Sequence, residues 1–296
     1  MAEQLTERVF VLPGGTNIGV VIADDGRAVV IDTGLNDTPA RKLLRFVRED
    51  LKTDIAAIIN THGHADHFGG NAFLVKRTGA PVYAPDLDEM TLRHPLMQPI
   101  MLYGGADPAD AIRTSFLVAE AGPVDGLVHL GENEIAGVNF AAHSLTGHSM
   151  NQLGYVIDDV FFCADVVFPE ATLEKYPIPY LYGLTEHLQA LEFARGVQAR
   201  KIVPGHGPIL DDINSLVDLN LAAIERVITT ILEIVDRPML ADEICQQLFQ
   251  HMNVTIADAQ AYYLLRPTVQ AYLAHLERTG ALNLIVADAS VIWTRR

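Results

Sequence analysis

The sequence predicts a layered α/β fold followed by a small C-terminal winged-helix-like domain. Three observations carry that prediction. Short apolar runs alternate with amphipathic helical stretches from residue 8 onward. Three histidine-bearing loops each follow one of these runs. After residue 237 the rhythm changes to helices and one terminal hairpin.

Each element has its own justification. Residues 8–35 read as three short strands, with Pro13-Gly14-Gly15 and Asp24-Asp25-Gly26 supplying the turns. Residues 38–50 place Leu43, Leu44 and Val47 on one helical face. Residues 54–60 form an apolar run suited to a buried strand, and they deliver the first histidine loop. A helix is expected from Gly70 to Arg77 and a strand at 81–85. Residues 86–126, with Met90, Met97, Met101, Pro95, Pro99 and Pro108, show no strand alternation and read as an inserted, partly helical lid. Strands then resume and end in a second histidine loop at His148. Residues 152–168 predict a hairpin turning at Asp158-Asp159, followed by a proline- and aromatic-rich loop over 169–183. A helix at 185–196 precedes a strand at 201–208, which enters a third histidine loop. The expected domains are therefore 1–212, a connecting helix at 213–236, and 237–296 with helices at 238–250, 256–265 and 267–279 before the hairpin.

Composition narrows the class of function. The chain has 296 residues, 49% of them hydrophobic, which suffices for a large domain and a small one. A formal net charge of -16 repels phosphate backbones and anionic membranes. Two lone cysteines, Cys163 and Cys245, suggest a reducing compartment. The start carries charges where a secretory signal would need its apolar segment. No apolar run reaches the roughly 18 residues that a membrane span requires. The expectation is a cytoplasmic protein with a small-molecule partner favoured over nucleic acid, and no membrane.

"NTHGHADHFGG" (60–70) places His62, His64, Asp66 and His67 within six residues. The first two are two apart in an extended loop, so their rings can point the same way. Asp66 and His67 sit one turn further on. His148 in "LTGHS" and His206 in "VPGHG" each follow an apolar segment and a glycine, and Asp165 follows "VFFCA". Strand ends on one edge of a layered fold converge at a site. Imidazole and carboxylate are zinc ligands. Five histidines and two aspartates exceed one tetrahedral ion and suit two ions about 3.5–4 Å apart, with Asp165 bridging. A hydroxide held between two such ions is a nucleophile at neutral pH. Chance would place three histidines and one acid at the spacing of the first loop in roughly two chains per thousand, and the distant loops lower that further.

These residues resemble the metallo-β-lactamase fold superfamily. "THGHADH" matches its His-x-His-x-Asp-His motif, "TGHS", "CAD" and "PGHG" match its later motifs in order, and "VVIDTG" matches the strand before them. The resemblance covers residues 8–210. It implies a four-layer αββα sandwich. It also implies that His62, His64 and His148 hold one metal and that Asp66, His67 and His206 hold the other. Asp66 is then the catalytic residue that orients the attacking hydroxide, and Asp32 braces the metal loop. Oxygen-reducing di-iron relatives place a carboxylate where His64 stands, so the full His/Asp set favours hydrolysis.

Weaker candidates surround this set. Cys163 shares a strand face with Asp165 and reads as a small buried hydrophobe. His129, His143 and His187 lack motif context, whereas His94 sits in the lid and is a candidate substrate contact. Met97, Met101, Tyr103, Tyr176, Tyr180 and Tyr182 either line an apolar pocket or simply pack two long loops; Tyr180 and Tyr182 are taken as substrate candidates. Lys175 reads as a surface lysine. In the tail, five arginines balance five acids, which makes a poor phosphate clamp and favours packing or homodimer formation over DNA binding. The expected activity is hydrolysis of an ester, thioester or lactone with two zinc ions, iron or manganese being alternative metals. Two other reactions of the same fold stand beside it: endoribonuclease cleavage, and persulfide oxidation at a single iron.

Overall fold

The computed structural model describes residues 2–296. The strands β1 (Glu3–Gln4), β2 (Val9–Leu12), β3 (Ile18–Ile22) and β4 (Ala28–Ile31) pair antiparallel in sequence order. β4 then pairs in parallel with β5 (Ile55–Ile59), which pairs with β6 (Val82–Pro85), which pairs with β7 (Gly126–Val128). Parallel neighbours need crossovers, and helices supply them. The first is α1 (Asp37–Arg45), which widens into a π-turn through Asp50; the Asn36 side chain caps it by accepting from Thr38 N at 2.9 Å. Then come α2 (Ala65–Phe68) and α3 (Asn71–Thr78). The segment after β6 carries α4 (Glu89–Arg93), α5 (Met97–Leu102) and a short 3-10 turn before it rejoins the sheet as β7.

The second sheet runs β12-β11-β10-β9-β8. Its strands are β8 (Gly131–Ile135), β9 (Val138–Ser144), β10 (Leu153–Ile157), β11 (Val160–Ala164) and β12 (Lys201–Pro204). The hairpin between β10 and β11 turns at Asp158 and Asp159, both in the left-handed region, as a two-residue loop requires. The helices α7 (Leu184–Gly196) and α8 (Asn214–Ile234) cover this sheet, and α6 (Glu170–Lys175) packs on α8 through Leu173. α6 falls inside the stretch expected to be only a loop.

The two sheets face each other. Val11, Val29, Ile31 and Ile59 of the first pack against Phe140, Tyr155 and Phe162 of the second. The outer face of the first sheet packs Val20, Val30 and Ile58 against Leu43 and Leu74 of α1 and α3. The outer face of the second packs Phe161 and Ile202 against Leu191 and Val227 of α7 and α8. The result is the expected αββα sandwich.

The C-terminal part contains α9 (Ala241–His251), α10 (Ala259–Arg278) and a hairpin of β13 (Leu282–Ala287) and β14 (Ser290–Arg295). Met239 bridges to Trp293. Its buried residues, among them Leu248, Tyr272 and Leu276, join the same core as α7 and α8. One expectation is corrected here. The two helices predicted at 256–265 and 267–279 are a single helix that runs through Pro267. Proline removes one backbone bond, but Asp258 caps the start by accepting from Ala261 N at 2.8 Å. Beyond the proline, Val269, Tyr272, Leu273 and Leu276 are buried, so packing outweighs the lost bond. Among the described residues, no helix is long and apolar enough to cross a membrane.

Candidate metal centre

All three histidine loops and Asp165 leave the same edge of the sandwich. β5 is buried along its whole length and ends at Ile59, so His62 and His64 emerge immediately above it. α2 begins directly after His64, which puts Asp66 and His67 in its first turn. A Cβ on Gly63 would come within 2.0 Å of Thr91 Oγ1, so that position excludes any side chain. At the end of β11 the register shifts and Ala164 takes a positive φ of 48°, which turns Asp165 inward. Gln152 Oε1 accepts from Asp165 N at 3.2 Å and holds that turn. A Cβ on Gly205 would lie 1.9 Å from Asp165 Oδ1, so only glycine lets the His206 loop pass this close.

The geometry separates into two clusters with a shared carboxylate. His62 Nε2 lies 3.0 Å from His64 Nδ1, which lies 2.9 Å from His148 Nε2. His206 Nε2 lies 3.3 Å from Asp66 Oδ2, and His67 Nε2 lies 3.9 Å from the same oxygen. Asp165 stands between them: Oδ1 is 3.4 Å from His67 Nε2, and Oδ2 is 3.4 Å from His148 Nε2 and 3.2 Å from His206 Nε2. The donor atoms of His62, His64 and His148, and those of Asp66, His67 and His206, each fall within 4.8 Å of one another.

The outer hydrogen bonds fix which ring nitrogens face inward with a lone pair. His67 Nδ1–H donates to Asp32 Oδ2 at 2.8 Å. His148 Nδ1–H donates to the Tyr180 carbonyl at 3.3 Å, and His206 Nδ1–H donates to the Gly15 carbonyl. Thr61 Oγ1 gives its only hydrogen to Asp32 Oδ2 at 2.7 Å, so it accepts from His62 Nδ1–H at 3.1 Å. His62 and His148 therefore aim a bare Nε2 at the same space, and His67 and His206 turn their Nε2 atoms toward it as well. His67 Nε2 and Asp165 Oδ1 are buried there with no hydrogen-bond partner. Buried polar atoms without a partner are costly, and this N/O donor set fits a metal ion in each cluster. Asp32 stands where the resemblance implies, behind His67 and Thr61.

The two clusters differ in charge. Burial drives His62 well below the usual imidazole range, His64 to about 4 and His148 to about 3. In the other cluster burial works against a charge on His67, but Asp165, Asp32 and Asp66 outweigh it and hold the ring at about 10. The Asp165 carboxylate raises His206 to about 12. Burial opposes ionisation of Asp66 and Asp165, yet the facing histidines hold both below the usual carboxylate range.

The weaker candidates separate clearly. Tyr180 lines the cavity in front of the centre, its ring 5.5 Å from those of His64 and His148. Tyr176 and Lys175 line the same cavity. His94 does not reach it: it is exposed, beside a separate shallow depression with Met97. Tyr182 is 58% exposed and points away, because only its backbone turns toward Gly147. Tyr103 packs on Tyr263 of α10. His129 is exposed, His143 stacks on Phe193, and His187 is buried. Cys163 is buried in the core, and burial pushes its thiol up.

One residue escaped the sequence reading. Asp88 is buried, and burial pushes its carboxyl up to about 6. It accepts from Gly63 N at 2.9 Å, Ser149 Oγ at 3.0 Å and Asn151 N at 2.7 Å. It thereby ties the His62–His64 loop to the His148 loop. Thr91 Oγ1 adds a bond to the Gly63 carbonyl at 2.7 Å. The available signal was its position after β6, the next parallel strand whose end meets the same edge.

Comparison with known proteins agrees with this geometry. The family model of the metallo-beta-lactamase superfamily matches residues 11–206. A hydroxyacylglutathione hydrolase of Xanthomonas campestris pv. campestris is 30% identical over 154 residues, 51% of this chain and 46% of that protein. The chain thus spans about half the length of such relatives. The beta-lactamase-like protein 2 homolog of Drosophila melanogaster is 22% identical over 290 residues, covering 91% of this chain and 85% of its own. A beta-lactamase domain protein from Burkholderia ambifaria superposes with a TM-score of 0.76 at 18% identity, over 100% of this chain and 93% of that one. A metallo-beta-lactamase family protein from Thermus thermophilus gives 0.73 at 18% identity, over 97% and 98% of the two chains.

Proposed function

Since the chain belongs to the metallo-beta-lactamase superfamily, we propose that it is a metal-dependent hydrolase with two metal ions, acting on an ester, a thioester or a lactone. The observation that carries this reading is the pair of His/Asp clusters with Asp165 between them, its two oxygens within 3.4 Å of His67, His148 and His206. His62, His64 and His148 would hold one ion, and Asp66, His67 and His206 the other, with Asp165 common to both. Zinc suits this nitrogen and oxygen donor set. Bound metal supplies Lewis acidity toward the carbonyl oxygen and lowers the pKa of water toward about 7.

The remaining work belongs to the chain. Asp66, ionised and facing the cavity, is placed to accept a hydrogen bond from the attacking water and fix its direction. Asp32 keeps His67 in the tautomer that presents Nε2. The Tyr180 ring, beside His64 and His148, shields the centre from bulk water. In the reaction the water oxygen joins the acyl carbon and the bond to the leaving oxygen or sulfur breaks. The released alcohol or thiol takes a proton. The C-terminal part, read as winged-helix-like, serves packing, because it shares a core with α7 and α8. The two free, buried cysteines fit a reducing compartment.

Elemental analysis of the purified protein, coupled to a panel of thioester, lactone and phosphodiester substrates, tests this. About two zinc ions per chain and acyl hydrolysis lost in His62→Ala are expected. One iron per chain without zinc would instead support persulfide oxidation, and salt-sensitive RNA cleavage lost in Asp66→Ala would support an endoribonuclease.

A further inference from the structure

The metal centre opens into a cavity of about 1200 Å³, larger than the roughly 300–1,000 Å³ of ordinary small-molecule sites. His64, Asp66, His148, Asp165 and His206 line one part of it. Phe168, Leu173, Ile178 and Pro179 line another, and Leu117 comes from the segment before β7. The C-terminal part supplies the rest: Met252 and Val254 follow α9, and Ala261, Leu264 and Leu265 share one face of α10. Phe116 and Tyr176, 49% and 55% exposed, present aromatic rings to solvent where the cavity opens.

We propose that this cavity receives the apolar acyl chain of the ester or thioester substrate, with α10 as its specificity-determining wall. The proposal rests on the hydrolase reading and adds the substrate class to it. Charge supports an apolar occupant. Among the described residues, Lys175 is the only lysine or arginine that lines the cavity, and Glu174 and Asp258 line it too. A polyanionic group would find one cation among acids, and burying it would be costly. An acyl chain needs no such partner and gains from the aliphatic walls. The α10 wall is also fixed in place. The Thr114 hydroxyl donates to the Gln260 side chain, Leu181 N donates to Thr268 Oγ1 at 3.3 Å, and Thr185 Oγ1 pairs with His275 Nδ1 at 2.9 Å. The tail thus closes the site from the side, although every candidate metal ligand lies in the sandwich.

The test is a series of 4-nitrophenyl esters from acetyl to decanoyl, with the chain as purified and with Ala261→Trp, which adds an indole to the α10 wall. kcat/KM should rise about fourfold per methylene over the first several carbons. The decanoyl-to-butanoyl ratio should fall at least tenfold in Ala261→Trp. A second arm measures displacement of a fluorescent fatty acid from the protein with its metal removed by a chelator. One decanoate should bind per chain, and more weakly in Ala261→Trp. Flat chain-length dependence, or a ratio indifferent to Ala261→Trp, would overturn the proposal. If no acyl ester is cleaved at any length, the hydrolase reading fails, and the binding arm alone decides whether the cavity takes an acyl chain. Absence of saturable fatty-acid binding then overturns it.

Discussion

The two halves of the candidate metal centre sit within one hydrogen-bonded space, yet they solve opposite electrostatic problems. The half with His62, His64 and His148 is all imidazole, and burial keeps its rings neutral, with His64 at about 4 and His148 at about 3. The half with Asp66, His67 and His206 contains the charge. Its carboxylates hold His67 at about 10 and His206 at about 12. The first half can accept a cation without losing a proton. In the second half a cation must replace the protons that the carboxylates keep on His67 and His206. Asp165 stands against both and, on the two-metal reading, would make their affinities interdependent.

The largest expected effect comes from removing the shared group. Asp165→Ala leaves His67 and His206 without their main counter-charge and takes one oxygen from each cluster. Metal content should fall below one ion per chain, and hydrolysis should drop on the order of a thousandfold or more. Retention of two ions per chain in Asp165→Ala would end the idea of a shared ligand.

The next test separates the halves by pH. Chelator competition at pH 6 and pH 8 should show one site whose affinity changes little, because its histidines are already neutral at both values. The other should weaken about tenfold per pH unit for each displaced proton as pH falls. His206→Ala should abolish the steep site and keep the flat one, and His148→Ala should damage the flat one. Identical pH slopes at the two sites would refute the asymmetry.

A third test asks how each half is braced. Asp88 ties together the two loops of the neutral half, whereas Asp32 braces the charged half through His67. Asp88→Ala orphans the buried Gly63 N and the part-buried Asn151 N, at about 1–3 kcal/mol each. The expected loss is about 2–6 kcal/mol, or roughly 3–10 °C in Tm at about 2.1 cal/mol/K per residue, with the flat metal site weakened more than the steep one. An unchanged Tm would show that water replaces the carboxylate and that the tie is dispensable.

The sequence exposed the parts that local spacing determines. Glycine-histidine loops after apolar strands reveal His148 and His206, and the compact 60–70 segment reveals four more candidates. The layered α/β class was legible because strands such as β5 and β11 are wholly apolar, whereas the four-layer sandwich came from the family resemblance. What escaped depends on where distant segments meet. Asp88 looks like a loop acid until β6 is placed beside β5. His94 and Tyr182 looked like substrate contacts because of their segments, but each chain turns the ring away from the cavity. The break expected between residues 265 and 267 is absent, because burial of the residues after Pro267 keeps the helix continuous. The α10 wall was invisible because helical periodicity marks an apolar face without saying what it faces.

The smallest effect lies at the opposite edge of the sandwich, and it calibrates the buried centre. Arg8, just before β2, grips Asp158 in the β10–β11 turn through Nε–Oδ2 at 2.8 Å and Nη2–Oδ1 at 2.7 Å. Like the metal loops it joins the two sheets, but both side chains are about one third exposed. The hydrogen bond from Arg8 holds Asp158 below its ordinary carboxylate range. A depressed carboxyl stabilises the fold above its unfolded pKa of about 3.9, and the contribution vanishes as pH falls through the folded value. Solvent screening limits it to about 0.5–1 kcal/mol. Arg8→Ala should therefore lower stability by that amount at pH 7, by less in 1 M salt, and not at all near pH 2, as read from urea midpoints. A loss above about 3 kcal/mol at pH 7 would mean that this edge is as strongly coupled as the metal edge, and that burial is not what separates them.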